Sequence, residues 1–274
     1  MVRRALVAAT VGALLLSTPA AAVPGVDEPD TVKVSAIRNP ELRKYKAILA
    51  GLDSFDKHRA LAPGVAELRF RIEQRSDAAL AEQPRVRIEG EHDFVLPLAL
   101  DATNRFSVPR SEAALDARGE LVLNQKRKHY RIVPEVRTPG LPDNVRRLGD
   151  LRLECKVWVA IAKEEIPLFW VLTLNSVLLS RDWCSFFSAK ERQAGFRFNT
   201  ESPLRAATLR EGERSKPLKV ENDHFLVGIS DPEWSDEALV ELAFGSAATA
   251  DAEPATAAAT SLTGTAAETP RTAP

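Results

Sequence analysis

Ser54-Phe55-Asp56-Lys57 sets a hydroxyl and an amine one helical turn apart, the spacing at which a lysine eases removal of a serine proton and makes a nucleophile. The K-T-G and S-D-N sequences that complete such a site are absent, so a solvated helix face is the expected reading. His58, His92, His129 and His224 are dispersed, with no H-x-x-x-H or H-E-x-x-H spacing. Glu91-His92-Asp93 offers a local ligand cluster, but a polar turn between strands is the expected reading. No G-x-S-x-G elbow, G-x-G-x-x-G loop or P-loop occurs. The expectation is therefore no catalytic residue, no cofactor and no metal site.

Binding chemistry has more to work with. Lys126-Arg127-Lys128-His129-Tyr130-Arg131 is the densest basic run. It suits the phosphates of lipopolysaccharide, anionic lipid headgroups or an acidic protein; a charged hairpin end guarding a sheet edge is the alternative. Arg137, Arg146 and Arg147 flank the Pro139-Gly140-Leu141-Pro142 turn. They either extend the same positive surface or pair with Asp143 and Asp150. Trp158 and Trp234 would favour ligand or partner contact if exposed, and are core residues if covered. Over the whole chain 37 Lys+Arg face 38 Asp+Glu, so nothing pulls it toward nucleic acid.

The first 22 residues carry a targeting pattern. Arg3-Arg4 precede an apolar stretch from Ala5 to Leu16, and Ala20-Ala21-Ala22 offers a small-residue cleavage site. The apolar run is shorter than the roughly 20 residues a membrane span needs. A cleaved signal peptide and a periplasmic or extracellular protein without a membrane span follow. In an oxidising compartment Cys155 and Cys184 are expected to form one disulfide, with two separate buried thiols as the alternative.

The elements that must position these groups are mostly strands. After an extended leader over 23–39, Leu42, Tyr45, Leu49, Leu52 and Phe55 recur at helical spacing, with Pro40 in the first turn and Asn39 as cap. From Leu68 onward apolar residues alternate with polar ones, through 68–72, 86–88, 94–100, 106–108, 121–123, 130–133, 196–198, 204–209, 218–220, 225–229 and 239–244. Pro97 marks a sheet edge. Leu151 to Ile161 alternates most regularly, and a strand with Cys155 on its buried face is expected there. Ile166 to Leu179 is a core element whose length favours a helix over a buried strand. Thr138 to Asn144 is either a long loop or a boundary between two β modules. The globular region is thus placed at 40–246, followed by an Ala/Thr/Pro tail, 247–274, too poor in apolar bulk to order. The fold class is mainly β, an antiparallel β-sandwich with an N-terminal amphipathic helix and a further helix over 166–179.

Within this series, Leu98-Ala99-Leu100-Asp101-Ala102-Thr103-Asn104-Arg105-Phe106-Ser107-Val108-Pro109 resembles the T-D-x-x-G-x-F-x-L/V-P signature of carboxypeptidase-regulatory-like, or transthyretin-like, β-sandwich modules. The resemblance extends over residues 84–125. Asn104 stands where those modules carry glycine, Phe106 supplies their core aromatic, and Leu121-Val122-Leu123 the following strand. It implies a structural or adhesion-type module that brings no catalytic residues. The expected function is a non-catalytic binding or assembly module of the cell envelope, its partner an envelope protein or an anionic surface. An envelope hydrolase with a site assembled from distant residues is the alternative.

Overall fold

Asn39, with φ of 59°, turns the chain into strand β1 (Pro40–Lys44), which pairs antiparallel along a sheet edge before helix α1 begins at Tyr45. In this computed structural model, which describes residues 37–76, 82–188 and 195–245, the expected helix therefore starts five residues late. Glu41 explains why: it is buried beside Arg43, and the extended backbone that places it there is satisfied by a neighbouring strand. The expected signal peptide, the expected leader up to residue 36 and the expected tail from 247 lie outside the described residues.

Helix α1 (Tyr45–Lys57) buries Tyr45, Ile48, Gly51 and Phe55 on one face. Strands β2 (Arg69–Gln74), β3 (Val86–Glu89), β4 (Val95–Leu98) and β5 (Arg105–Phe106) follow, then a short helix α2 (Glu112–Asp116), β6 (Glu120–Lys126) and β7 (Tyr130–Glu135). They form a four-stranded sheet in the order β1-β6-β3-β4 and a three-stranded sheet in the order β5-β2-β7. Both sheets contribute to one core, Val86, Ile88, Leu121 and Leu123 from the first, Phe70, Phe106 and Ile132 from the second. Pro97, lacking an amide hydrogen, lies on the edge strand β4.

The turn into β5 has a visible chemical origin. One Asp101 oxygen accepts hydrogen bonds from the Thr103 N–H, the Thr103 hydroxyl and the Arg105 N–H, at 2.8, 2.7 and 2.9 Å. The other takes Arg69 at 2.6 Å. Asn104 adopts the left-handed conformation, φ 56°, one that asparagine tolerates better than most residues. Phe106 then enters the core against Phe70, 5.9 Å between ring centroids. What burial Asp101 has acts to raise its pKa, but these donors hold the carboxyl well below the usual range. A depressed folded pKa contributes stability above the unfolded value that is lost as pH falls through the folded one. Asp101→Ala is thus expected to be less stable than wild type at pH 7 in urea denaturation. The gap should begin closing below about pH 4.

The second half contains β8 (Val145–Arg147), α3 (Leu148–Glu165), α4 (Leu168–Val177), β9 (Phe196–Asn199), β10 (Leu204–Glu211), β11 (Arg214–Glu221), β12 (His224–Val227) and β13 (Leu239–Phe244). Its six strands form one sheet, β8-β13-β10-β11-β12-β9. Phe198, Phe225, Leu209 and Val240 lie in a second core beneath it. Among the described residues there are thirteen strands, all paired antiparallel, and four α-helices, a mainly β protein. Residues 138–144 connect β7 to β8, where the chain passes from one core to the other.

Leu151 to Ile161 is not a strand. It lies within α3, which is walled by both cores: Leu148, Leu151 and Cys155 face the second, Leu153, Val157 and Ile161 the first. Each set recurs at steps of three or four, and the two stripes lie on nearly opposite sides of the helix. Interleaved, they alternate with a period near two. α1 packs along the same helix at Gly51, where an added Cβ would sit 2.8 Å from Ile161 Cγ1. The close approach is available only without a side chain.

Candidate functional site

At the end of α3, Pro167 forces Ile166 into extended backbone (φ −96°, ψ 151°), and the chain leaves the body of the protein. Ten residues of α4 follow, Leu-Phe-Trp-Val-Leu-Thr-Leu-Asn-Ser-Val, without a single charge. The helix closes with paired bonds from the Leu179 N–H to the Ser176 carbonyl and from the Ser180 N–H to the Asn175 carbonyl. Leu179 thereby adopts φ of 50°, at the position glycine usually fills.

The return segment is fastened to α3. The expected Cys155–Cys184 disulfide is present, bridging a sequence separation of 29, with both cysteines buried. The Trp183 indole N–H donates to the Asn175 side chain at 2.8 Å, and its ring lies under the Lys163 ammonium at 5.0 Å. Lys163 also donates to the Arg181 carbonyl at 2.6 Å, and Lys156 pairs with Asp182 at 2.5 Å.

Helix α4 closes neither core, and its covered side is only half-buried at Val171, Leu174 and Asn175. The expectation of a core element at 166–179 is corrected here: a helix is present, but none of its residues is buried and neither core contains one. Leu168, Phe169 and Leu179 are 71%, 69% and 91% exposed, and Trp170, Leu172 and Val177 are exposed beside them. The Phe169 and Trp170 rings meet edge to face, 5.6 Å apart. Each of the three polar side chains of α4 makes a hydrogen bond, two of them within the helix. The Thr173 hydroxyl donates to the Phe169 carbonyl at 2.9 Å, the Ser176 hydroxyl to the Leu172 carbonyl at 3.0 Å, and Asn175 accepts from Trp183.

Beside the base of α4 lies a hollow of about 530 Å³ with an apolar floor of Val159 and Ala160 and a basic rim of Lys57, His58, Lys156, Lys163 and Arg181, with Ser54, Asp53 and Asp182 at its walls. Burial, then the positive charges of Lys156 and Lys57, lower the His58 pKa. Burial, with Lys156 and Arg181, likewise lowers that of Lys163 against the pull of Asp182. Among the described residues Lys57 and Arg181 have no carboxylate partner. Ser54 and Lys57, the S-x-x-K pair, line this hollow, but the Ser54 hydroxyl donates to the Lys156 backbone carbonyl at 3.0 Å. The geometry gives it a structural hydrogen bond and no bonded base.

The basic residues singled out in the sequence fall in two places. Lys126, Arg127 and Lys128 sit at the β6–β7 turn, exposed, with Arg127 3.6 Å from Glu41. Arg137, Arg146 and Arg147 lie beyond the other end of β7, so the structure does not bring the two groups together. Arg137 donates to the Pro142 carbonyl and approaches Asp143 at 3.6 Å. Arg147 pairs with Glu237 and lies 3.7 Å from Asp150. Arg146 is buried against Glu154 at 2.8 Å. It belongs to an ionic layer between the two cores, with Arg71, Glu73, Arg131, Arg105 and Glu135. Trp158 borders that layer on α3, its ring between Arg43 and Arg131, and Trp234 is core. Among the described residues no group of three or more metal-ligating side chains converges. Glu91-His92-Asp93 forms the β3–β4 turn, with His92 and Asp93 both at positive φ.

Sequence reasoning missed the basic hollow because its cations come from α1, α3 and the segment after α4. The exposed helix left one signal: an apolar run with no polar face and a proline at its start. Compared with family models, curated proteins and solved structures, the chain matches none.

Proposed function

We propose that this is an exported, non-catalytic binding module of the cell envelope that docks through α4. One observation carries the reading: a ten-residue, uncharged, apolar helix projects from a protein with two well-filled cores and buries none of its own residues. Contiguous exposed apolar surface of this kind marks an interaction site. The disulfide and the Trp183 contacts hold the helix at a fixed place, as docking requires and a chance protrusion does not. The signal pattern at residues 1–22 and the resemblance of 84–125 to adhesion-type modules support the same reading.

Fractionation of producing cells tests it. The wild-type chain, beginning at Val23 by mass, is expected in the envelope-bound fraction. Phe169→Ser/Trp170→Ser/Leu172→Ser is expected in the soluble fraction, with its thermal midpoint changed little because all three residues are exposed and none belongs to either core. Wild-type protein found wholly in the soluble fraction overturns the docking role.

A further inference from the structure

The surface of α4 has two properties that together select among partners. The first is that the Thr173 and Ser176 hydroxyls donate to carbonyls of their own helix and the Asn175 carbonyl oxygen is taken by Trp183, so that of the helix's side-chain donors only the Asn175 amide N–H groups are left to its surroundings. A protein partner could supply such bonds; hydrocarbon cannot, and leaving a polar group unpaired there is costly. The second is the charge set beside the helix rather than on it. Lys57, Lys156, Lys163 and Arg181 surround the hollow at its base, against two aspartates.

We propose that α4 is an interfacial membrane anchor, embedded in the outer part of an anionic phospholipid leaflet while the hollow takes a lipid phosphate. This rests on α4 being the docking element. Ten residues, about 15 Å of helix, are half what spanning requires, and no helix among the described residues is long and apolar enough to cross a membrane. The helix therefore lies in one leaflet. Interfacial helices ordinarily carry their own basic face; here the division of labour is between elements. α4 supplies the apolar mass, with Phe169 and Trp170 as rings suited to the headgroup boundary, and α1, α3 and the return segment supply the cations.

Charge also weighs against the other occupant, a second copy of the chain. Packing α4 on its own counterpart would bring two sets of the same cations together, whereas an anionic leaflet neutralises them. Leu179 fits the lipid setting as well. It occupies a left-handed position at which a side chain is unfavourable, and it presents that side chain, 91% exposed, at the end of the helix.

Co-sedimentation of the purified protein with vesicles of phosphatidylglycerol and phosphatidylethanolamine tests the proposal, with phosphatidylcholine vesicles as the comparison. Wild type is expected to bind the anionic vesicles and to bind phosphatidylcholine far more weakly. Lys57→Gln/Arg181→Gln removes two exposed cations without touching α4 and should weaken binding about thirtyfold, at about fivefold per charge. Leu179→Gly should bind more weakly with an unchanged or higher thermal midpoint, so that loss of binding is separated from loss of fold. Brominated phosphatidylglycerol should quench tryptophan emission in wild type and less in Trp170→Phe. Folded wild-type protein that ignores anionic vesicles, or binds both kinds equally, overturns the lipid assignment. If it instead sediments as a dimer that Phe169→Ser/Trp170→Ser/Leu172→Ser dissociates, the partner is a second copy, and docking through α4 stands without lipid.

Discussion

Glu154→Leu is expected to lower unfolding stability by about 3–5 kcal/mol at pH 7, measured by urea denaturation. The Glu154 carboxylate accepts from Arg146 at 2.8 Å and from the Val136 N–H at 3.0 Å, and all three groups are buried. Among the described residues, removing it leaves the guanidinium only its bond to the Val136 carbonyl, 3.1 Å, and the Val136 amide no acceptor, both away from water. A guanidinium has no neutral form to fall back on in a protein, so a carboxylate partner is not replaceable by loss of a proton. The reverse change is milder. Burial pushes the Glu154 pKa up against Arg146 and the Val136 N–H, leaving it above the ordinary glutamate value. In Arg146→Met, Glu154 is therefore able to shed its charge by taking a proton, and a loss of about 1–3 kcal/mol is expected. The double variant Arg146→Met/Glu154→Leu should be more stable than Glu154→Leu alone. Equal losses in the two single variants would show that the stranded charge is not the cause.

The disulfide carries the second large effect. Closing a separation of 29 residues restricts the unfolded chain by about 3–4 kcal/mol in the chain-entropy account. Cys155→Ala/Cys184→Ala should lose that amount, and wild type should lose it on reduction. The bond ties α3 to the segment that returns from α4, so its removal is also expected to increase hydrogen exchange across Leu168–Ser185 before the two cores are affected. Uniform loss of protection throughout the chain would place the bond in the global fold rather than in this excursion.

The strands were legible because most are half-buried. Val86 and Ile88 point inward and alternate with Arg87 and Glu89, and burial with a period of two writes itself into residue type. α3 deceived the same logic for a physical reason. A helix covered on two opposite sides needs apolar residues on both, and the two stripes interleave into the alternation of a strand; a helix covered on one side, such as α1, does not do this. The start of α1 was displaced because Pro40 suits a first helical turn and an edge strand alike, and only β6 decides between them. The disulfide could be paired from the cysteine count and the expected compartment alone. The candidate site could not be read, since Ile166 to Leu179 has the composition of a core segment. Whether such a segment is covered depends on neighbours that lie far away in sequence.

The shared helix has a bearing on the order in which the molecule can be made. Leu153, Val157 and Ile161 close the first core, yet they are encoded after every strand of that core. Until the chain has grown past residue 165, the amino-terminal half lacks one wall and stays open. The last piece of the first core is also the first piece of the second. A growing chain that cannot close early remains threadable, the condition required of a polypeptide that crosses a membrane before it folds.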